Sequence, residues 1–222
     1  MSEMQWLPLE SNPDVINKYL TAIGVPTSKW KCYDVYGVDD ELLAMIPKPV
    51  IAMFLLFPCE AENKSSGDAC GEVPDSVYFM KQRIRNACGT IALVHALANN
   101  MNKLACEGPF KDFYDRTKSM NAEEKSKALE NDKALSTAHG DSAMEGQTGT
   151  PSLDDTVNHH FVSFATVDGT LYEFDGRKDA PVKHGASSDE TFLKDVSVVC
   201  KKFMDNQPGE IQFTMIALAA AE

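Results

Sequence analysis

The sequence predicts an α/β protein in which helices cover both faces of a mixed sheet, and three observations carry that reading. Segments with helical spacing alternate along the chain with short β-rich runs. One of these runs, residues 50–57, is continuously apolar and strand-sized. Asp168-Gly169 joins two others, a strong short-range hairpin signal.

From the N-terminus, Asn12-Pro13 reads as an N-cap followed by proline at the first helical position. Val15, Ile16, Tyr19 and Leu20 form its apolar stripe and Gly24 its stop. Residues 30–36 alternate weakly as a strand, 40–46 make a short acidic-started helix, and 50–57 a second strand. Residues 60–76 are polar with Gly and Pro, an exposed loop, and 77–80 are strand-like. The most apolar helix covers 87–98. Helical patterns follow at 109–118 and 122–129, the second opened by the capping-box pattern Asn121-x-x-Glu124. Residues 138–156 show no periodicity, and so long a loop inside a compact domain is usually functional or disordered. Residues 159–167 and 170–175 form the hairpin. Ser187-x-x-Glu190 is expected to cap a helix carrying Phe192, Leu193, Val196, Val199, Cys200 and Phe203 on one face, and 211–218 closes the chain as a strand.

The 222 residues suit a single domain spanning 1–222. Against 21 Lys and Arg stand 33 Asp and Glu, a net charge of −12. So acidic a chain repels phosphate backbones and anionic lipid, which argues against nucleic-acid and membrane-surface roles and favours a cationic partner. No stretch approaches the roughly 20 apolar residues of a bilayer span, and the opening residues carry no secretory pattern. The cysteines 32, 59, 70, 88, 106 and 200 form no Cys-x-x-Cys pair. They are expected as reduced thiols in the cytoplasm or nucleus, and their spacing argues against a structural zinc site.

One cysteine stands apart. Cys88 opens the apolar helix, where the helix dipole lowers a thiol pKa and favours the nucleophilic thiolate; Arg83 and Arg85 add nearby positive charge. It is a nucleophile only if a base reaches it. His95 sits seven residues along the same helix, about 10.5 Å of rise away, and reads as a packed helix histidine. His139 and His184 fall in loop-like sequence and are expected to be exposed.

Hairpin geometry separates the remaining pair, His159 and His160. With a two-residue turn at Asp168-Gly169, opposed residues sum to 337, so Val162 faces Asp175 and His160 projects from the same side. His160 and Asp175 are then diagonal neighbours, with backbones about 7–8 Å apart and side chains able to meet. His159 points to the other face with Phe161 and Phe174, and Glu173 lies too far along to orient His160. A thiol at a helix start, a strand histidine and a carboxylate on its face make the layout of a cysteine hydrolase. The Cys88 backbone N–H and the Gln82 side-chain amide are the expected donors to a developing oxyanion.

These residues carry a family resemblance. Gln82-Arg83-Ile84-Arg85-Asn86-Ala87-Cys88-Gly89-Thr90 resembles the nucleophile motif of the ubiquitin carboxyl-terminal hydrolases. The likeness extends through Trp6-Leu7-Pro8-Leu9-Glu10, Ala96-Leu97-Ala98-Asn99-Asn100, Glu145-Gly146-Gln147, His160-Phe161, Leu171-Tyr172-Glu173-Phe174-Asp175-Gly176-Arg177 and Cys200-Lys201-Lys202-Phe203-Met204. It implies a papain-like α+β fold with a knotted backbone and a mixed, mostly antiparallel sheet. It implies Cys88 as nucleophile, His160 as base and acid, Asp175 as its orienter, and Gln82 as oxyanion donor. No metal or organic cofactor is implied. The implied substrate is ubiquitin bearing a small C-terminal adduct or flexible peptide, with Nedd8 as a further substrate of some members.

The aperiodic segment 138–156 corresponds to the family's crossover loop above the active site. Ubiquitin contacts are implied for Pro8, Leu9, Glu10, Asn12, Glu145, Gly146, Gln147, Thr148 and Phe213. The chain departs from the family pattern at His159, Arg83 and Arg85, and its 60–76 loop is shorter than in some relatives. A monomer is expected. The rival expectation is a ubiquitin-sequestering module with low intrinsic turnover.

Overall fold

The computed structural model describes residues 4–58, 67–71, 73–146, 158–206, 209 and 212–222. In chain order the elements are α1 (Pro13–Ala22), β1 (Trp30–Asp34), α2 (Asp40–Leu43), β2 (Val50–Pro58), β3 (Asp68–Ala69), α3 (Cys88–Ala98), α4 (Pro109–Thr117), α5 (Ala122–Glu130), α6 (Lys133–Ala143), β4 (His159–Val167), β5 (Thr170–Phe174), β6 (Val182–Ala186), α7 (Phe192–Asp205) and β7 (Thr214–Ala220). Seven strands make one sheet in the order β1-β7-β2-β4-β5-β6-β3. Each of its pairings among the described residues is antiparallel, so the expected mixed sheet is corrected.

The central strand β2 explains its own sequence. Ala52 and Phe54 enter one apolar cluster with α1 and α3, while Met53, Leu55 and Phe57 enter a second beneath α7. Alternate side chains point to opposite faces, so a strand covered on both sides has no polar position left. In β7, Ile216 and Leu218 likewise serve the first cluster and Met215, Ala217 and Ala219 the second. Every residue of α3 is buried, and it runs against β4 with α1 and α4–α6 helping to enclose the cluster. A helix apolar all round has no solvent face to offer.

Local signals place the element ends. The Asn12 side chain accepts the Asp14 N–H at 2.9 Å, Pro13 opens α1, and Gly24 follows it at φ +94. Both bonds of the capping box form at α5, Glu124 N–H to Asn121 and Asn121 N–H to Glu124. The hairpin has the expected register, Val167 opposite Thr170 and Ser163 opposite Phe174, with positive φ at both Asp168 and Gly169.

Several expectations are corrected. Residues 133–143 form α6, so six of the nine described residues of the stretch 138–156 are helical; residues 147–157 lie outside the described residues. The buried positions of α6 are Leu135, Ala138, His139, Ser142 and Ala143. They have helical spacing, but three are Ala or Ser and one is His, so hydrophobicity hardly registers it. Residues 77–80 pair with no strand among the described residues. Side chains of α3 and its C-cap meet this backbone instead: Asn99 bonds both N–H and C=O of Tyr78 at 2.8 Å, and His95 Nε2, 3.1 Å from both N and O of Met80, serves one of the two. The loop 60–76 includes the two-residue β3, paired with the unanticipated β6, and a buried Cys70. At α7 the N-cap is Thr191, not Ser187, and it makes no side-chain cap bond; the Ser188 and Thr191 hydroxyls knit a preceding turn. The last strand is 214–220, and Ile211 lies outside the described residues.

Two buried histidines make this fold sensitive to acid. Burial lowers His95 and His139 from 6.5 to about 4. Between those values the unfolded chain binds the proton that the folded chain refuses. Stability is therefore complete above pH 6.5 and drains as pH falls toward 4, by about 3 kcal/mol per histidine. Replacing His139 by Gln removes one contribution. The urea midpoint of His139→Gln is expected to fall less between pH 7 and pH 4.5 than that of the wild type; equal falls would mean that this imidazole is not held neutral.

Candidate active site

The thiol, the imidazole and the carboxylate arrive from α3, β4 and the turn after β5. The chain enters α3 through Asn86, in the left-handed region at φ +62, a conformation Asn tolerates better than most residues. Cys88 is the first residue of α3, where a backbone N–H has no intrahelical acceptor. Gly89 admits the N-terminal segment: a Cβ there would lie 3.1 Å from Leu9 and 3.5 Å from Phe161.

His160 stands opposite Phe57 and meets its ring edge-on at 5.8 Å. Its Nε2 donates to Asp175 Oδ1 at 2.6 Å, and both residues are buried. A carboxylate can only accept, so this bond fixes the hydrogen on Nε2 of the neutral ring and leaves the Nδ1 lone pair exposed to other partners. Nδ1 is buried and has no hydrogen-bond partner among the described residues. Asp175 Oδ1 also accepts the Arg177 N–H at 2.9 Å, and its carbonyl accepts the Lys178 N–H at 3.0 Å, which closes the turn. Glu173 is otherwise engaged, with Lys178 at 2.5 Å and His184 at 2.9 Å.

Gly176 joins the carboxylate to the oxyanion candidate. The Gln82 N–H donates to Gly176 O at 2.7 Å, and a Cβ at 176 would stand 2.8 Å from Ile91 and 3.0 Å from the Gln82 Cβ. The Gln82 amide gives one N–H to Ile84 O at 3.2 Å.

Charge couples the three groups. Burial pushes the Cys88 thiol up, but the neighbouring His160 imidazole, the Phe161 backbone N–H and the charge of Arg177 outweigh it, and the thiol ends below its ordinary range. Burial likewise opposes the His160 cation, yet Asp175 and Cys88 hold its pKa above the ordinary value. Burial raises the Asp175 carboxyl, but its bonds to His160 and Arg177 N–H and the charge of Lys178 bring it below the usual carboxylate range. Besides His160, the cation felt by Cys88 is Arg177. Arg83 is spent on Glu130 at 3.1 Å and Glu123 at 3.3 Å, and Arg85 points into solvent, which corrects the role expected of that pair.

The other histidines divide. His95 is packed as expected, stacked on Phe79 at 5.2 Å. His139 and His184 are not exposed: both side chains are buried and hydrogen-bonded, one on α6 and one on β6. His159 turns outward to Gln212, 2.9 Å from its Oε1.

Of the residues implied to touch ubiquitin, one group comes together. Gly146 packs on the Glu10 side chain, Asn12 donates to Glu10 at 3.3 Å, and Lys18 of α1 ion-pairs with Glu145. Pro8 and Leu9 precede this group on the same segment. Asn12, Asp14, Lys18, Asp34, exposed Tyr36 and Glu145 line a cleft of about 700 Å³. Burial and the neighbouring Asp14 push the Asp34 carboxyl up, and Lys18 and Lys31 line the same cleft. Phe213 packs instead with the cluster beneath α7, and Gln147 and Thr148 lie outside the described residues.

Comparison with known proteins now adds to this geometry. The family described as "Ubiquitin carboxyl-terminal hydrolase, family 1" matches residues 6–205. A ubiquitin carboxyl-terminal hydrolase of Aplysia californica is 51% identical over 211 residues, covering 93% of this chain and 98% of the relative. The human ubiquitin carboxyl-terminal hydrolase isozyme L1 is 44% identical over 226 residues, 98% of this chain and 100% of its own. In fold, the chain is similar to the catalytic domain of Trichinella spiralis UCH37, solved bound to ubiquitin vinyl methyl ester. The TM-score is 0.79 at 22% identity, covering 100% of this chain and 98% of that one. The architecture is the papain-like α+β fold of thiol hydrolases. The chain belongs to family 1 of the ubiquitin carboxyl-terminal hydrolases.

The sequence did not point to Arg177 or the Phe161 N–H as partners of the thiol. Arg177 stands in the sequence reading only as the last residue of the Leu171–Arg177 motif with no role attached, and a backbone N–H leaves no sequence signal. The electrostatics give an expected outcome. With thiol lowered and imidazole raised, wild-type Cys88 alkylates at a pH below the ordinary thiol range. In His160→Ala burial is left with less opposition, so the rate of iodoacetamide alkylation at pH 7 falls by about tenfold or more. His159→Leu, facing away, keeps the wild-type profile; the reverse pattern would overturn the register.

Proposed function

We propose that this protein is a deubiquitinating thiol hydrolase that cleaves after the C-terminal glycine of ubiquitin, with Cys88, His160 and Asp175 as its triad. The observation that carries the reading is the buried 2.6 Å bond from His160 Nε2 to Asp175 beside a thiol held below its ordinary range. In the proposed reaction the Nδ1 lone pair takes the Cys88 proton and the thiolate attacks the glycine carbonyl carbon. The Cys88 N–H and the second Gln82 N–H receive the oxyanion. The tetrahedral adduct collapses to a thioester as Nδ1–H protonates the leaving group. Water, deprotonated by the same nitrogen, then attacks the thioester and releases ubiquitin and the thiol.

Ubiquitin is recognised in this proposal by Pro8, Leu9, Glu10, Asn12 and the stretch from Glu145 to Thr148, with Phe213 on a separate contact. The net charge of −12 steers a cationic partner. The substrates are small adducts and flexible peptides on ubiquitin or Nedd8, and the enzyme acts as a monomer in the cytoplasm or nucleus. Among the described residues no helix is long and apolar enough to cross a membrane.

Ubiquitin carrying a C-terminal fluorogenic amide tests this. Turnover is expected to vanish in Cys88→Ala while ubiquitin binding persists. Gln82→Ala should lose about 10²–10³ in kcat, the effect of deleting one oxyanion donor. Binding by the wild type without turnover would make the protein a sequestering module, and turnover by Cys88→Ala would refute the assignment of the nucleophile.

A further inference from the structure

A buried imidazole connects the N-terminal segment to the helix that carries the thiol. His139 Nε2 lies 2.6 Å from the carbonyl oxygen of Leu7, and Nδ1 lies 2.8 Å from Thr90 Oγ1. A carbonyl can only accept, so Nε2 carries the hydrogen, and Nδ1 of the neutral ring accepts from the Thr90 hydroxyl. Thr90 is two residues beyond Cys88, and Leu7 immediately precedes the segment proposed to touch ubiquitin. The ring is wedged in place, tilted against Trp6 at 4.5 Å and edge-on to Tyr19 at 6.4 Å. Along the same path Trp6 N–H donates to Arg85 O at 3.0 Å and Arg85 N–H to Met4 O at 3.1 Å, so the segment runs beside the loop that leads into Cys88.

We propose that His139 is a positioning residue for the hydrolase: by holding Leu7 and Thr90 at once, it makes the seating of the N-terminal segment and the placement of Cys88 one arrangement. Solvent cannot replace the Thr90 end, since Thr90 and His139 are both buried, and the Leu7 end is part-buried. A polar group left there without its partner is costly, which ties each end to the other. The burial that keeps the ring neutral also preserves its two different roles, one nitrogen donating and the other accepting.

This inference rests on the ubiquitin-hydrolase reading for the meaning of the segment, but not for the behaviour of the thiol. Its test therefore uses two readouts: alkylation of Cys88 by iodoacetamide, which needs no ubiquitin, and kcat and KM on ubiquitin with a fluorogenic leaving group. All rates are taken where circular dichroism shows the variant folded. Thr90→Val cuts only the nucleophile end, and is expected to slow alkylation and lower kcat together, by about fivefold or more, with KM near wild type. Thr90→Ser keeps the hydroxyl and restores both. His139→Gln keeps a donor for Leu7 but loses the ring acceptor, and is expected to match Thr90→Val. The double variant should be no worse than either single one.

Wild-type alkylation and kcat in folded Thr90→Val, or losses that simply add in the double variant, would overturn the proposal. The expected alkylation pattern in a protein that never turns over ubiquitin would retain the positioning role and remove the hydrolase reading instead.

Discussion

The hydrogen bond from His160 to Asp175 is the constraint around which the rest of the site is arranged. A thiol removed from water resists ionisation, and so does an imidazole. Each becomes chargeable here only because the other, and a carboxylate behind it, compensate for lost hydration. The carboxylate performs a second task by taking Nε2, which leaves Nδ1 as the nitrogen able to accept a proton. Shifting β4 by one residue would carry His160 to the opposite face and offer His159 in its place. Register is therefore a chemical requirement, and the hairpin turn at Asp168-Gly169 is where it is set.

The surroundings convert this pair of bonds into a fixed constellation. Gly176 lets the Asp175 turn lie directly on Gln82, so carboxylate and amide donor share one junction. Gly89 does the same for Leu9 and the start of α3. At Gly176 a side chain would press on Ile91 and Gln82, and at Gly89 Leu9 would have to give way by a few tenths of an ångström. The N-terminal segment thereby packs against the start of α3 beside Cys88.

Where residues announced themselves chemically, the sequence was readable. Asn12 and Asn121 cap the helices they were expected to cap, and Cys88, His160 and Asp175 were separable from their rivals by helix position and strand parity. What escaped had polar or small residues doing the work of apolar ones. The buried face of α6 is built from Ala, Ser and His beside one Leu, so its helix looked like loop and His139 looked exposed. The segment at 77–80 had the composition of a strand, but His95 of α3 and Asn99 at its C-cap took backbone bonds that a neighbouring strand would have made. The short pair β3 and β6 offers too few residues for any period to show.

By itself the sequence determined which residues are able to do chemistry and which faces they occupy, because helix starts, two-residue turns and strand alternation are local consequences of the backbone. It also determined the family, through motifs spread over the length of the chain. Tertiary structure alone decided that Arg177 rather than Arg83 or Arg85 acts on the thiol, that Glu173 belongs to Lys178 and His184, and that His139 ties Leu7 to Thr90. Charge and hydrogen bonding act over a few ångströms of space regardless of distance along the chain. Which cation finds which anion is therefore settled only when the sheet and helices have packed.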